Sequence, residues 1–442
     1  MTIPAYWLAV AALTAGAALI LCLAERASSK PGLATGVGLA AAAVALLLGF
    51  TASTQERFVV VVVALLDMLA LLLVPTLELE RDQQRPEVAA LLLLGSGGAI
   101  ALAVARDLVA LVIGLETLSL AVAVMVALGR GEAPLEAAFK YFVLAAVSIS
   151  ALIYGIGLYF LATGVLTIGA SLPANPYLQV AYVAGVSLIA LGFAFELAVV
   201  PVHWGALDAY TGAAPGIASW AMAASKLGAI LALSRLVEAY TPQVGPGLVL
   251  VGTATIVWGT VGALAQRELR RLLAYSAVAH AGFLALAAGS GPEGRQVAAF
   301  YVAIYGATAI LVFAALAGRG TDPLPFGRVL AERLGPLRGL GLALGLLSLA
   351  GIPPTPGFWA KLAVLGPAWQ YAGPLPCLVA VGGGVAGALY YLKPLPDLLS
   401  ALRQSGLEAP LSNVSVTLAG AAVVLLGKIG RASCRERVYV LV

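Results

Sequence analysis

Six ionisable residues sit inside stretches that are otherwise apolar. They are Glu116 in LVIGLETLSLAV, Lys140 in LEAAFKYFVL, Glu196 in FAFELAVVPVH, Lys226 in AMAASKLGAIL, His280 in LLAYSAVAHAG and Lys361 in GFWAKLAVL. Each side chain exchanges protons. In an apolar medium an acid or a base favours its neutral form, so it can take up and return a proton instead of holding a fixed charge. Ionisable residues inside a membrane mark ion or proton pathways by default. A substrate pocket would gather such groups around one ligand, whereas these lie on different apolar runs. A row of this kind suits protons hopping along side chains and water, each site altering its neighbour's protonation.

Depth separates the readings. Glu116 is about nine residues into its run, about 14 Å deep at 1.5 Å per residue. Lys140 is about six residues in, about 9 Å, where a lysine can also snorkel to the interface. A water-bridged pair of the two fits these depths. Lys226 lies about twelve residues in, near the centre, where snorkelling is blocked. Glu196 and Lys361 flank Pro- and Gly-rich interruptions. His280 reads equally as a relay or a satisfied core residue, and His203 as a shuttle or a helix cap. Asp67 reads as a partner for a neighbouring helix or subunit, and Asp208 as a cap more than a relay member.

The elements that hold these residues are membrane spans. The chain has 442 residues, 61% hydrophobic and 10% charged, against about 25% charged in soluble domains. Apolar runs of about 20 residues predict about fourteen helical spans. Their limits are 4–24, 31–52, 58–77, 88–105, 107–128, 134–162, 178–200, 214–238, 246–265, 271–289, 296–317, 337–366, 374–396 and 411–427. The runs lack the period-two alternation of barrel strands, so the class is all-α and polytopic. The first residues, MTIPAYWLAV, lack a basic n-region and read as a first span, not a cleaved signal.

Charge and composition exclude other classes. The net charge of +4 forms no basic patch, which argues against nucleic acid. Cys22, Cys377 and Cys434 are far apart and give neither a disulfide framework nor a metal or cluster site. No Gly-rich nucleotide motif is present, so the chain itself should carry no redox cofactor. Basic residues favour alternate loops: Arg26 and Lys30, Arg81 and Arg85, Arg130, Arg267 with Arg270 and Arg271, Arg319 with Arg328, Arg333 and Arg338, then Lys393 and Arg403. The positive-inside rule makes that side cytoplasmic and puts the N-terminus outside. The end, KIGRASCRERVYVLV, breaks the pattern and reads as a non-native tail over 428–442.

Two spans are interrupted alike, at VVPVHWGALDAYTGAAPG and LAGIPPTPGFWAK. Proline removes a backbone donor, and loose backbone in a membrane is tolerated only against protein or water. Paired breaks five spans apart suggest an internal repeat around a mid-membrane pathway. The expected organisation is helices 1–3 over 1–87, a first repeat over 88–240, a second over 241–400 and a last helix over 401–427.

The stretches LGLETLSL, KYFVLAAVS, VVPVHW, ASKLGAI, LAQRELRRLLAYSAVAHAG and LAGIPPTPGFWAK resemble the signature segments of antiporter-like membrane subunits. These occur in NADH–quinone oxidoreductase and in multi-subunit cation/proton antiporters. IPPTPGFWAK, with Phe-Trp and a downstream lysine, is most similar to the N subunit of respiratory complex I. The resemblance implies two inverted five-helix repeats, each with a broken helix, in a membrane arm where quinone reduction elsewhere drives proton pumping. It implies a translocase subunit without a redox centre. NAD, FMN, iron–sulfur clusters and quinone would belong to other subunits, and the partners would be antiporter-like neighbours, small helical subunits and lipid of the bacterial inner membrane. Family roles fall on Glu116 as the fifth-helix acid, Lys226 as the central lysine and Lys361 as the twelfth-helix lysine, with Lys140, His203 and His280 at further motif positions. Glu196 departs from the family, which usually has lysine there, so Glu116 is expected to face a second acid. The rival readings are a subunit of a sodium/proton antiporter, a membrane-bound hydrogenase, or a scaffold whose proton path is lost.

Overall fold

With no water to serve backbone N–H and C=O groups, an apolar run in lipid must satisfy them internally, and the helix does so within one segment. The computed structural model describes residues 4–30, 32–77, 85–129, 131–317 and 336–402, together with Phe326, Leu334, Thr417, Gly420 and Ala421. Among these, one isolated bridge, Asp107 with Thr167, is the extent of extended pairing. The helices are α1 Ala5–Cys22, α2 Ala24–Ser29, α3 Leu33–Phe50, α4 Thr54–Leu71, α5 Arg85–Val104, α6 Leu108–Ala127, α7 Glu132–Thr163, α8 Pro176–Leu197 and α9 Trp204–Gly212. They continue as α10 Pro215–Trp220, α11 Lys226–Ala239, α12 Thr241–Leu264, α13 Leu269–Gly289, α14 Gly291–Ala315, α15 Pro336–Ala350, α16 Pro356–Pro367, α17 Pro374–Leu392 and α18 Leu395–Leu402. A π-helical turn, Ala221–Ser225, joins α10 to α11.

Twelve helical segments among the described residues are long and apolar enough to cross a membrane. They coincide with the expected spans, and the pair α15 and α16 occupies the interrupted twelfth. The expected last helix over 401–427 is described only at a few positions, and the tail 428–442 lies outside the described residues. So do Arg81, Arg130, Arg319, Arg328, Arg333 and Arg403 of the charge pattern.

Burial sorts the spans into core and flank. The window over Pro215–Ala239 is 94% buried and those over Leu269–Gly289 and Gly291–Ala315 are each 89% buried, against 17% for Glu132–Thr163. Helices α11, α13 and α14 therefore form the centre, and α7 turns Leu135, Phe139, Tyr154 and Leu161 outward. Side-chain caps set several starts: Asp107 accepts from the Val109 and Ala110 amides, and Glu268 from those of Arg270 and Arg271.

The two breaks are built alike. Helix α8 ends with Ala198 at φ 61°, where the Val199 amide donates to the Ala194 carbonyl and the Ala198 amide to Phe195. Helix α15 ends with Gly351 at φ 77°, where Ile352 donates to Leu347 and Gly351 to Ser348. Each pair of bonds is a Schellman cap around a left-handed residue. The cap satisfies two of the last four carbonyls and leaves the other two to find donors elsewhere, among them the one just before the left-handed residue, Leu197 or Ala350.

Candidate functional site

At each break a lysine takes the carbonyl just before the left-handed residue. Lys226 Nζ donates to Leu197 O at 2.8 Å, and Lys361 Nζ donates to Ala350 O at 3.0 Å. The end of a helix carries partial negative charge, so an ammonium there gains from the dipole as well as from the bond. Lys226 is fully buried and begins α11, directly after the π turn, with its ammonium 5.5 Å from the centre of the Tyr210 ring. Lys361 is half-buried on α16, over the rings of Phe283 at 5.6 Å and Tyr391 at 6.0 Å.

Glu196 belongs to the first of these docks. It is 3% exposed, one residue before the Leu197 carbonyl. Tyr141 donates to its Oε2 at 3.4 Å, Ser119 donates to Tyr141 at 3.4 Å, and Oε1 has no hydrogen-bond partner. The Lys226 charge acts on it, and Ser225 lies beside it. This corrects the expected acid–acid pair. Glu116 is half-buried on α6 and forms no hydrogen bond or ion pair among the described residues. It shares its stripe with the exposed Ile113, Leu120 and Val124. What joins its helix to Glu196 is Ser119, one turn further on, through Tyr141.

His280 stands between the two lysines, close enough to feel both ammonium charges. Its Nδ1 meets the Tyr301 hydroxyl at 2.7 Å and its Nε2 meets Tyr391 at 3.1 Å. A neutral imidazole donates from one nitrogen and accepts at the other, so between two hydroxyls it can receive a proton on one side and release one on the other. The Tyr391 hydroxyl also bonds Ser276. A void of about 10 Å³ borders His280, Tyr301, Tyr305, Ser348 and Gly357, close to the lower limit for one water. Both ring nitrogens are thus partnered, an arrangement that fits a relay and a satisfied core histidine alike.

Two expected members lie apart. Lys140 is 48% exposed and pairs with Glu136 at 2.6 Å and Asp208 at 3.6 Å, and Asp208 in turn holds Arg271 at 2.8 Å. It belongs to a charged cluster at the rim, not to a water-bridged pair with Glu116. Asp208 is accordingly an ion-pair hub, not a helix cap. His203 is buried in the first break between Trp204 and Trp258, with Nδ1 unpartnered. Arg270, counted among loop charges, is 1% exposed and donates to the Ala213 carbonyl. Sequence reasoning missed the tyrosines Tyr141, Tyr210, Tyr301 and Tyr391. Their signal was position for two of them: membrane tyrosines favour the interface, whereas Tyr141 and Tyr301 sit well within spans and Tyr210 lies in the first break. Among the described residues no group of three or more His, Cys, Asp or Glu could hold a metal ion.

The NADH:quinone oxidoreductase/Mrp antiporter transmembrane family matches residues 105–386. The NADH-quinone oxidoreductase subunit N of Cereibacter sphaeroides is 36% identical over 324 residues, 71% of this chain and 70% of the relative. A chain of respiratory complex I from Thermus thermophilus superposes with a TM-score of 0.80 at 28% identity, covering 95% of this chain and 96% of that one. A chain of the Mrp complex from Dietzia shares the fold, with a TM-score of 0.80 at 19% identity over 96% of this chain and 95% of that one. The chain belongs to the NADH:quinone oxidoreductase/Mrp antiporter membrane family, within its NADH–quinone oxidoreductase subunit N group.

Proposed function

We propose that this chain is a proton-translocating subunit in the membrane arm of a complex I-type NADH–quinone oxidoreductase, in a bacterial inner membrane with its N-terminus outside. Protons move along Glu196, Lys226, His280 and Lys361, with Glu116 at the flank as the input from a neighbouring membrane-arm subunit. NAD, FMN, iron–sulfur clusters and quinone act in other subunits. The chain's own work is to hold and pass protons as the charge around it changes. Helices over 88–240 and 241–400 serve as the two inverted units, each contributing one broken helix.

The observation that carries this reading is the pair of matched docks. Each lysine sits on a carbonyl that a broken helix leaves open, just before its left-handed residue, and His280 with two tyrosine hydroxyls lies near both. An ammonium on a helix end gains from the dipole and from its bond, and a lysine, unlike an arginine, can give its proton up to a neighbouring group. The rival antiporter reading has the shared fold in its favour, whereas the closer relatives are N subunits. Lys226→Ala should abolish proton pumping by the assembled complex in membrane vesicles while assembly survives. Lys226→Arg should fail as well, since arginine does not give up its proton. Unimpaired pumping by either variant would overturn the reading.

A further inference from the structure

Asp67 lies on α4, outside both repeats, and is fully buried. The Ser96 hydroxyl of α5 donates to its Oδ1 at 2.8 Å, and the Trp220 indole N–H of α10 donates to that same hydroxyl at 3.2 Å. Direction matters in this chain of bonds. An indole nitrogen only donates, so Ser96 receives from Trp220 and must spend its own hydrogen elsewhere. Asp67 is the acceptor that takes it. The Trp220 indole also lies close enough to act on the Asp67 carboxyl directly, so Ser96 and Trp220 together face it.

Trp220 is the residue from which the π turn Ala221–Ser225 begins, and Lys226 comes directly after that turn. The fit around it is close. A Cβ on Gly95 of α5 would lie 2.3 Å from the Trp220 ring, so only glycine lets the indole reach Ser96. On the other side, a Cβ on Gly306 of α14 would meet Leu66 of α4 at 3.1 Å and Ala223 of the π turn at 3.2 Å. The π turn is thus wedged between α4 and α14. A π turn holds one residue more than an α turn, and relaxing it to α would rotate α11 about its axis by about 100°. That rotation would carry the Lys226 ammonium off the Leu197 carbonyl.

We infer that Asp67 is a positioning residue for Lys226: through Ser96 and Trp220 it pins the start of the π turn and so fixes the ammonium against the broken end of α8. This rests on the reading of Lys226 as a proton carrier. Around Lys226 itself the facing groups are Glu196 from α8, Tyr210 from α9 and His280 from α13, with Tyr305 of α14 near Tyr210. None of them is attached to the Asp67 chain of bonds, so its loss should act through geometry.

The test uses the complete complex reconstituted in vesicles, with pumping followed across pH. Asp67→Asn keeps an acceptor for Ser96 and should retain pumping and its pH profile. Asp67→Leu, Ser96→Ala and Trp220→Phe each break the chain and should lower pumping about fivefold, the effect of one neutral hydrogen bond on an equilibrium. In the same three, the pH profile should depart from that of the wild type, because the displaced ammonium has lost its carbonyl. Electron cryo-microscopy of Trp220→Phe should find Ala221–Ser225 out of π form and Lys226 off Leu197. A wild-type rate and profile for Trp220→Phe would overturn the inference, as would loss in Asp67→Asn equal to that in Asp67→Leu. If Lys226→Ala also pumped normally, the underlying reading would fail with it; if Lys226→Ala abolished pumping, only the positioning role would fall.

Discussion

The two broken helices present the same carbonyl in the same cap, and they recruit a lysine in different ways. At the first break the lysine comes from another helix, α11, and an acid stands beside it, Glu196. At the second the lysine stands on the continuing half-helix, α16, and no acid contacts it among the described residues; Phe283 and Tyr391 lie under it instead. A lysine beside an acid can be switched by whatever charges or neutralises that acid. A lysine over rings has no such local control and must answer to groups further off, here through His280. The first dock is therefore suited to receiving a signal and the second to passing a proton on.

The largest effect expected from this contrast is at the second dock. Lys361→Met removes the charge at little cost in volume and leaves His280 with no base on its far side. Pumping in vesicles should fall close to background while the complex assembles. A normal rate would make Lys361 a packing residue and the two docks unrelated.

Next comes the acid that distinguishes the first dock. Glu196→Gln keeps shape and removes the charge facing Lys226, so pumping should fall several-fold without being abolished, since the Leu197 carbonyl remains. Lys140→Met, in the exposed cluster with Glu136 and Asp208, serves as the comparison and should leave the rate near wild type. The reverse outcome, a silent Glu196→Gln and a damaging Lys140→Met, would transfer control of the path to the rim cluster.

The same physics decides how much of the molecule is legible in its sequence. The all-helical class, the position of twelve spans and both breaks were legible, because lipid demands long apolar runs and punishes proline and glycine within them unless the loose backbone is served. The burial of Lys226 was legible too: counting 1.5 Å per residue put it far from either end of its run, and it is fully buried. What could not be read was direction around the helix axis. A helix apolar on every face gives no stripe to orient it, so nothing local could test the family-based expectation that Glu116 faces Glu196, or choose between a water-bridged and a snorkelling Lys140. In the structure Glu116 lies on an outward stripe of α6 and Lys140 at the rim. The Tyr301 and Tyr391 contacts to His280 depend on three helices meeting and leave no local pattern.

The smallest effect expected separates the two caps by their left-handed residues. Ala198 bears a Cβ at φ 61°, a conformation that costs an L-residue about 1 kcal/mol. Its side chain is a single buried methyl. Ala198→Gly relieves the backbone and should leave pumping at the wild-type rate. Gly351 is the opposite case. At φ 77° a Cβ would be strained, and it would also lie 2.9 Å from Cδ of Lys361, pressing on the very side chain that reaches Ala350. Gly351→Ala should therefore lower pumping several-fold, and Gly351→Ala combined with Lys361→Met should be no worse than Lys361→Met alone, because the clash acts through the lysine. If Ala198→Gly and Gly351→Ala were equally harmful, the damage would come from the cap itself, and the different origin of the two lysines would not matter to the path. Measuring the four variants in one vesicle preparation decides between these outcomes.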